Sequence, residues 1–144
     1  MITIEFAQYD FKVKEQDGRE LVFDPFRKQW VVLTPEEWVR QNFLQWLVQV
    51  LKYPASLISI EKEIALGDLK KRFDIAVYNR TGKPWLLVEC KAMDISLDEA
   101  VLHQVMRYNQ VLEVSFLVIT NGSFTKAFQL LPAFIEVDEL PGYL

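Results

Sequence analysis

Cysteine and histidine each occur once in the 144 residues, as Cys90 and His103. A single cysteine excludes an internal disulfide framework and a four-cysteine zinc site. A single histidine excludes centres of the HExxH kind. There is no GxxxxGK[ST] phosphate loop and no GxSxG elbow, so P-loop nucleotide hydrolysis and serine-hydrolase chemistry lack support. No apolar run is long enough to span a bilayer, and MITIEFAQYD lacks the basic and apolar regions of a signal peptide. No membrane partner is therefore expected, and the cytoplasm is the simplest compartment. Positive charge is also scarce. Sixteen Lys and Arg against twenty Asp and Glu give a net charge of −4 and a pI of about 5.1. That balance is awkward for gripping nucleic acid, whose phosphates supply most non-specific affinity. Basic residues do cluster locally, at Lys70, Lys71 and Arg72, at Arg80 and Lys83, and at Lys91.

The chain does have enough apolar material for a core. Hydrophobic residues make up 51% and charged residues 25%, which suits one folded domain over 1–144 and argues against general disorder. FKVKEQDGRELVFD alternates around Asp17-Gly18 and predicts a hairpin. TPEEWVRQNFLQWLVQVLKYP predicts a helix ending near Lys52. Thr34 is its cap, Pro35 takes the first position, and Thr34 with Glu37 forms a capping-box pattern. Val39, Phe43, Leu47 and Val50 define its buried face. SLISIEKEIAL, FDIAVYN and PWLLVECKA predict three strands, the last two joined as an antiparallel hairpin by Arg80-Thr81-Gly82-Lys83. SLDEAVLHQVMRYNQVL predicts a second helix, with Ser96 and Glu99 as its capping pattern. VSFLVITNG predicts a buried strand, and the tail one or two short extended segments. The expected fold is α/β (α+β), a mixed central sheet flanked by helices.

Three residues on the central hairpin carry the chemistry. Asp74 is expected at the start of one strand, and Glu89 and Lys91 at the end of the next. Strand side chains alternate, so Glu89 and Lys91 share a face while Cys90 points away. The antiparallel return brings Asp74 towards Glu89, and all three are expected in one small pocket. Two carboxylates suit a hard cation such as Mg²⁺, with Mn²⁺ as a substitute. Brought close, they repel each other, which should raise at least one carboxyl pKa when no metal is bound. A lysine beside them can orient water, act as a base or stabilise developing charge. Separately, an Asp at a strand start is commonly a turn residue, and an ExK at a strand end a solvated pair. The joint pattern, directly after the apolar LLV, favours a site.

RFDIAVYNRTGKPWLLVECKA resembles the core of the PD-(D/E)xK nuclease superfamily. More narrowly, the chain resembles the amino-terminal nuclease domain of type I restriction enzyme R subunits. The likeness runs from TPEEWVRQ through KRFDIAVYN, LLVECKA and HQVMRYNQVL to VITNG, over about 30–125. It implies a restriction-endonuclease-like fold, with Asp74 and Glu89 as metal ligands, the Cys90 backbone carbonyl completing the shell, and Lys91 as the catalytic lysine. Phe73 stands where the superfamily's name has proline. Many members place an acidic residue on the first helix. Glu36 is preferred over Glu37 for that role, as a ligand, because it shares the helical phase of Val39, Phe43, Leu47 and Val50. Its ordinary alternative is favourable interaction with the helix dipole. Gln104 and Tyr108 share a face of the second helix and resemble the QxxxY pair of RecB-like exonucleases, which contacts substrate; a half-buried, hydrogen-bonded glutamine is the plain alternative. Arg40 and Arg107 could meet phosphate. His103 and the four tryptophans read as surface, core or interface residues, and Asn121-Gly122 as a turn.

The leading expectation is a metal-dependent nuclease acting on DNA, with a larger protein partner or a second copy of the chain supplying DNA access. A different class, a non-catalytic nucleic-acid-binding or assembly module on the same fold, is kept alive by the negative charge and the absence of a sequence-reading motif. A structural domain whose three charged residues form ordinary ion pairs is the weakest reading.

Overall fold

The computed structural model describes residues 1–144. After a two-residue strand β1 (Ile2–Thr3), β2 (Val13–Gln16) and β3 (Arg19–Asp24) form the expected hairpin. Asp17 and Gly18 turn it with φ of 53° and 76°, the positive pair that two-residue hairpins favour. β4 (Gln29–Val32) adds an antiparallel third strand, and the three make a small separate sheet. Helix α1 (Pro35–Gln49) starts as its sequence suggests: Thr34 Oγ1 accepts from the Glu37 backbone N–H at 3.0 Å and Pro35 takes the first position. It ends at Gln49, a little before Lys52, and Val50 is 56% exposed rather than part of the buried stripe.

β5 (Ile58–Leu66), β6 (Leu69–Tyr78) and β7 (Pro84–Cys90) form an antiparallel run. Helix α2 (Glu99–Asn109) then crosses to β8 (Phe116–Thr120), which lies parallel to β7. Its cap is Asp98, whose Oδ1 accepts from the Ala100 N–H at 3.0 Å, and not the expected Ser96. An aspartate at the cap bonds the first turn and also places negative charge at the positive end of the helix. β9 (Phe124–Gln129) returns antiparallel to β8, and β1 and β10 (Ile135–Val137) both pair with β9. The resulting seven-stranded mixed sheet runs β1-β9-β8-β7-β6-β5, with β10 off this path.

Two buried clusters cover the two faces. Val39, Phe43, Leu44 and Leu47 of α1 pack with Leu86, Val88 and Cys90 of β7. Val101 and Val105 of α2 pack with Leu87, Leu117 and Ile119. β7 thus alternates cleanly between layers. β5 and β6 do not. Phe73 packs in the α2 layer, yet Ile75, two residues on, packs in the α1 layer. Ile58 and Ile60 pack against the α1 layer, whereas Ile64 and Leu66 pack against the α2 layer. Both strands change face at one level, between the pairs Ile60↔Ile75 and Lys62↔Phe73. Glu61 sits there with φ of 54°, and Asp74 lies opposite it.

Candidate active site

Asp74 lies inside β6, not at a strand start as expected. The stretch Leu69–Arg72 pairs with Glu63–Leu66 across the Gly67 turn, so the strand begins before Phe73. At the level where β6 changes face, the Asp74 carboxylate reaches two partners. Oδ1 accepts from Arg40 Nη1 at 3.1 Å, and Oδ2 accepts from the Cys90 backbone N–H at 2.8 Å. Glu89 stands across from it on β7, one step beyond the pair Ile75↔Val88. Burial is the main reason why the Asp74 carboxyl is pushed up to about 6. The Cys90 N–H and Arg40 oppose this, and the charges of Glu36 and Glu89 add to it. The direction expected from carboxylate repulsion is present, but burial outweighs repulsion as its cause.

Glu89 is 3% exposed, and its Oε1 lies 2.5 Å from Lys71 Nζ. Lys71 Nζ also sits 5.2 Å from the Phe73 ring centroid and 5.8 Å from that of Tyr108. Burial works against the lysine charge, but Glu89, with Tyr108 added, raises its pKa above the ordinary value. Gln104 Nε2 donates to Tyr108 Oη at 2.9 Å, so the two α2 residues form a pair behind Lys71. Lys91 follows β7 directly, with its backbone N–H donating to Thr120 O at 2.8 Å. Its half-buried side chain lines an open groove of about 500 Å³ with Gln104, Asp94 and Asp98. Asp74 and Glu89 do not line that groove. Each carboxylate is covered by a cation instead, Asp74 by Arg40 and Glu89 by Lys71.

The first helix departs further from expectation. Glu37 is not a reciprocal cap. It is buried, accepting from Arg27 Nη2 at 2.8 Å, from Arg40 Nε at 3.1 Å and from Gln41 Nε2 at 3.1 Å. Glu36 is exposed rather than set in the core face. It shares the helical phase of Arg40, Phe43 and Leu47 but lies on the first turn, where it stays open to solvent, and its charge still reaches Asp74. Arg40, expected to meet phosphate, is buried, with its donors taken by Glu37, Asp74 and Glu61. Burial opposes its charge, and Glu37 and Asp74 more than offset that, raising its pKa. Arg27 completes the network, bonding Asp24 Oδ2 at 2.5 Å as well as Glu37. The Cys90 thiol points into the α1 layer, and burial keeps it protonated well above the usual thiol range. Arg107 and His103 are exposed. Asn121 Oδ1 accepts from the Ser123 and Phe124 N–H groups, and Gly122 has φ of 93°, which makes the expected turn.

Sequence reasoning missed Lys71 and the Asp24–Arg27–Glu37–Arg40–Glu61 network. Lys71 was visible only as part of a basic run; its position three residues before Asp74 would have told more had the strand been started at Leu69.

Residues 35–141 match the model of a family described as the N terminus of the type I restriction enzyme R protein, and the chain belongs to that family. This is the family its motifs resemble. No curated protein matches the chain. Among solved structures it is similar to a candidate nuclease belonging to DUF820 from Anabaena variabilis ATCC 29413. The TM-score is 0.49 at 11% identity, over 88% of this chain and 80% of that one. No helix is long and apolar enough to cross a membrane.

Proposed function

We propose that this chain is a metal-dependent nuclease that hydrolyses DNA phosphodiester bonds around Asp74, Glu89 and Lys91. Family membership supports nuclease-like chemistry. The observation that carries the site is geometric: the half-buried Asp74 carboxylate stands across from Glu89 on the neighbouring strand and beside the Cys90 backbone, within reach of the repulsive charges of Glu36 and Glu89. A divalent cation would relieve that repulsion.

The donor chemistry fits Mg²⁺ or Mn²⁺. The available groups are carboxylate and carbonyl oxygens, whereas the one thiol is buried and protonated. No three acidic, thiol or imidazole groups gather into a preformed cluster, and Asp74 and Glu89 are each paired with a cation, so a metal would have to displace Arg40 and Lys71 from them. Asp74 and Glu89 would hold the metal with the Cys90 carbonyl, and Glu36 is the further carboxylate on that side. When bound, the metal would supply Lewis-acid activation of phosphate and water. Lys91 extends into open space beside Gln104, where its ammonium can meet a phosphate or position a water. Arg40 is a positioning residue that fixes the Asp74 carboxylate.

The test is cleavage of linear, circular and single-stranded DNA by the pure protein with Mg²⁺ or Mn²⁺, with Lys91→Ala as control. Cleavage lost in EDTA and in the variant supports the reading. A second reading, a non-catalytic nucleic-acid-binding or assembly module, is favoured by one observation: both carboxylates are already neutralised by Arg40 and Lys71. A calorimetric titration with no divalent-metal binding, with and without DNA, decides for that module. Metal binding without cleavage of any DNA form points to a required protein partner or second copy of the chain.

A further inference from the structure

The small β2-β3-β4 sheet reaches the site only through Asp24, at the end of β3, which bonds Arg27; its other face plays no part in the site chemistry above. Directly paired residues on neighbouring strands share a face. Val22 and Asp24, both fully buried, therefore set the inward face, together with their partners Val13, Val31 and Gln29. The outward face takes Gln16 with Arg19, Lys14 with Leu21 and Val32, and Phe23 with Trp30. Lys12 joins it, its backbone carbonyl accepting from the Phe23 N–H and its Nζ lying 5.7 Å from the Phe23 centroid. Glu15 and Glu20 pair with each other on the opposite face. The outward face thus carries Lys12, Lys14 and Arg19, with no carboxylate in register, on a chain whose net charge is −4.

Of its two aromatic rings, Trp30 is exposed and Phe23 half-buried. Trp30 is 38% exposed, and the Phe23 and Trp30 centroids are 5.5 Å apart in an edge-to-face pair. Lys14 Nζ lies 4.3 Å from the Trp30 centroid. At the Phe23 end the face opens into a groove of about 420 Å³ lined by Tyr9, Phe11 and Lys12, with Asp10 as its one carboxylate. Positive charge interleaved with exposed rings is the chemistry of single-strand binding: bases stack on the rings and phosphates meet the cations. Duplexes offer phosphates but keep their base faces stacked, so a duplex would use the lysines and leave Trp30 idle.

We propose that the outward face of this sheet binds a single-stranded nucleic acid, with Trp30 and Phe23 as the stacking platform and Lys12, Lys14 and Arg19 as phosphate contacts. This surface would add a local basic grip to a chain whose overall charge is acidic. It holds whether or not Asp74 and Glu89 bind metal, so its test is run in EDTA, where cleavage plays no part.

The probes are fluorescein-labelled oligothymidylate and oligouridylate strands of about twelve nucleotides, a length within the range of single-strand sites, and a hairpin duplex. Binding is read by anisotropy at several salt concentrations. Trp30→Ala should weaken single-strand binding roughly tenfold, and Trp30→Phe should retain most of it. Lys12→Gln with Lys14→Gln should flatten the salt dependence by about 1.4 in slope, about 0.7 per phosphate contact. A preference for thymidylate or uridylate supports the proposal and names the sugar. Four results overturn it: no binding by the natural chain at low salt, Trp30→Ala binding as the natural chain does, tighter binding of the duplex than of either strand, or a dimer in sedimentation that Trp30→Ala dissolves.

Discussion

Replacing Asp74 by asparagine should make the metal-free protein more stable at neutral pH, although Asp74 is the centre of the proposed site. The carboxyl titrates near 6 in the folded chain against an ordinary 3.8. The folded state therefore holds the proton more tightly than the unfolded state. The stability this contributes is fully present below pH 3.8 and is lost as pH rises through about 6. The gap, at about 1.4 kcal/mol per pH unit, amounts to about 3 kcal/mol. The Asp74 side chain is only 20% exposed, so solvent screening discounts this little. Asparagine has nearly the shape of the protonated acid, but its single oxygen can accept from Arg40 or from the Cys90 N–H and not from both, which takes back part of this gain. Asp74→Asn should accordingly gain about 1–3 kcal/mol at pH 7 to 8, or roughly 3–10 °C in Tm for a chain of this size. Urea unfolding of both proteins in EDTA, repeated from pH 4 to pH 8, measures it. The two proteins should converge at pH 4 and separate as pH rises. A destabilised variant at pH 7, or a gap of equal size at pH 4 and pH 8, would refute the reasoning. Adding Mg²⁺ should then narrow or reverse the gap if Asp74 is a ligand.

Lys71→Met leaves the buried Glu89 carboxylate without its cation and should destabilise the metal-free chain by about 1–3 kcal/mol in urea unfolding, with a larger Tm gain on adding Mn²⁺ than the natural chain shows. Glu37→Gln strips two guanidiniums of their shared partner and should lower stability by about 2–4 kcal/mol, whereas Glu36→Gln on the exposed first turn should stay within about 0.5 kcal/mol. Lys91→Ala should keep the metal-induced rise in Tm and abolish cleavage in a gel assay; loss of the metal effect would place Lys91 among the groups that build the site rather than those that act on phosphate.

Much of the frame was legible because local signals settle it. Asp17-Gly18 requires positive φ at both positions and gives one kind of turn, and Thr34-Pro35 starts a helix wherever the chain lies. The strands around LLVECK follow from apolar runs that need two covered faces. Other features depend on what lies opposite in space. Helical phase gives the direction of Glu36 but not whether anything covers it there. The pairing of Glu37 with Arg27, ten residues earlier, and of Arg40 with Asp74, thirty-four later, has no local signature. Reading β6 from Phe73 cut Lys71 off the strand, and with it the cation that covers Glu89.

The most consequential feature was hidden for a different reason. Pattern reading assumes that a strand keeps its alternation from end to end. β6 does not: Phe73 belongs to the α2 layer and Ile75 to the α1 layer. With regular alternation Phe73 and Ile75 would fill the same layer. The break places Asp74 at the boundary between layers, where its carboxylate meets Arg40 from α1 and the N–H of Cys90 at the end of β7. Glu89 keeps to the other side, bonded to Lys71 in front of Tyr108 and Gln104. Two charge networks, one in each layer, therefore approach each other at the Asp74–Glu89 step. A cation seated there would compete with Arg40 on one side and Lys71 on the other. Removing either partner should then change metal affinity, Arg40 acting from helix α1 and Lys71 from β6 itself, and the break in alternation is the structural reason for proposing the site at this point of the sheet.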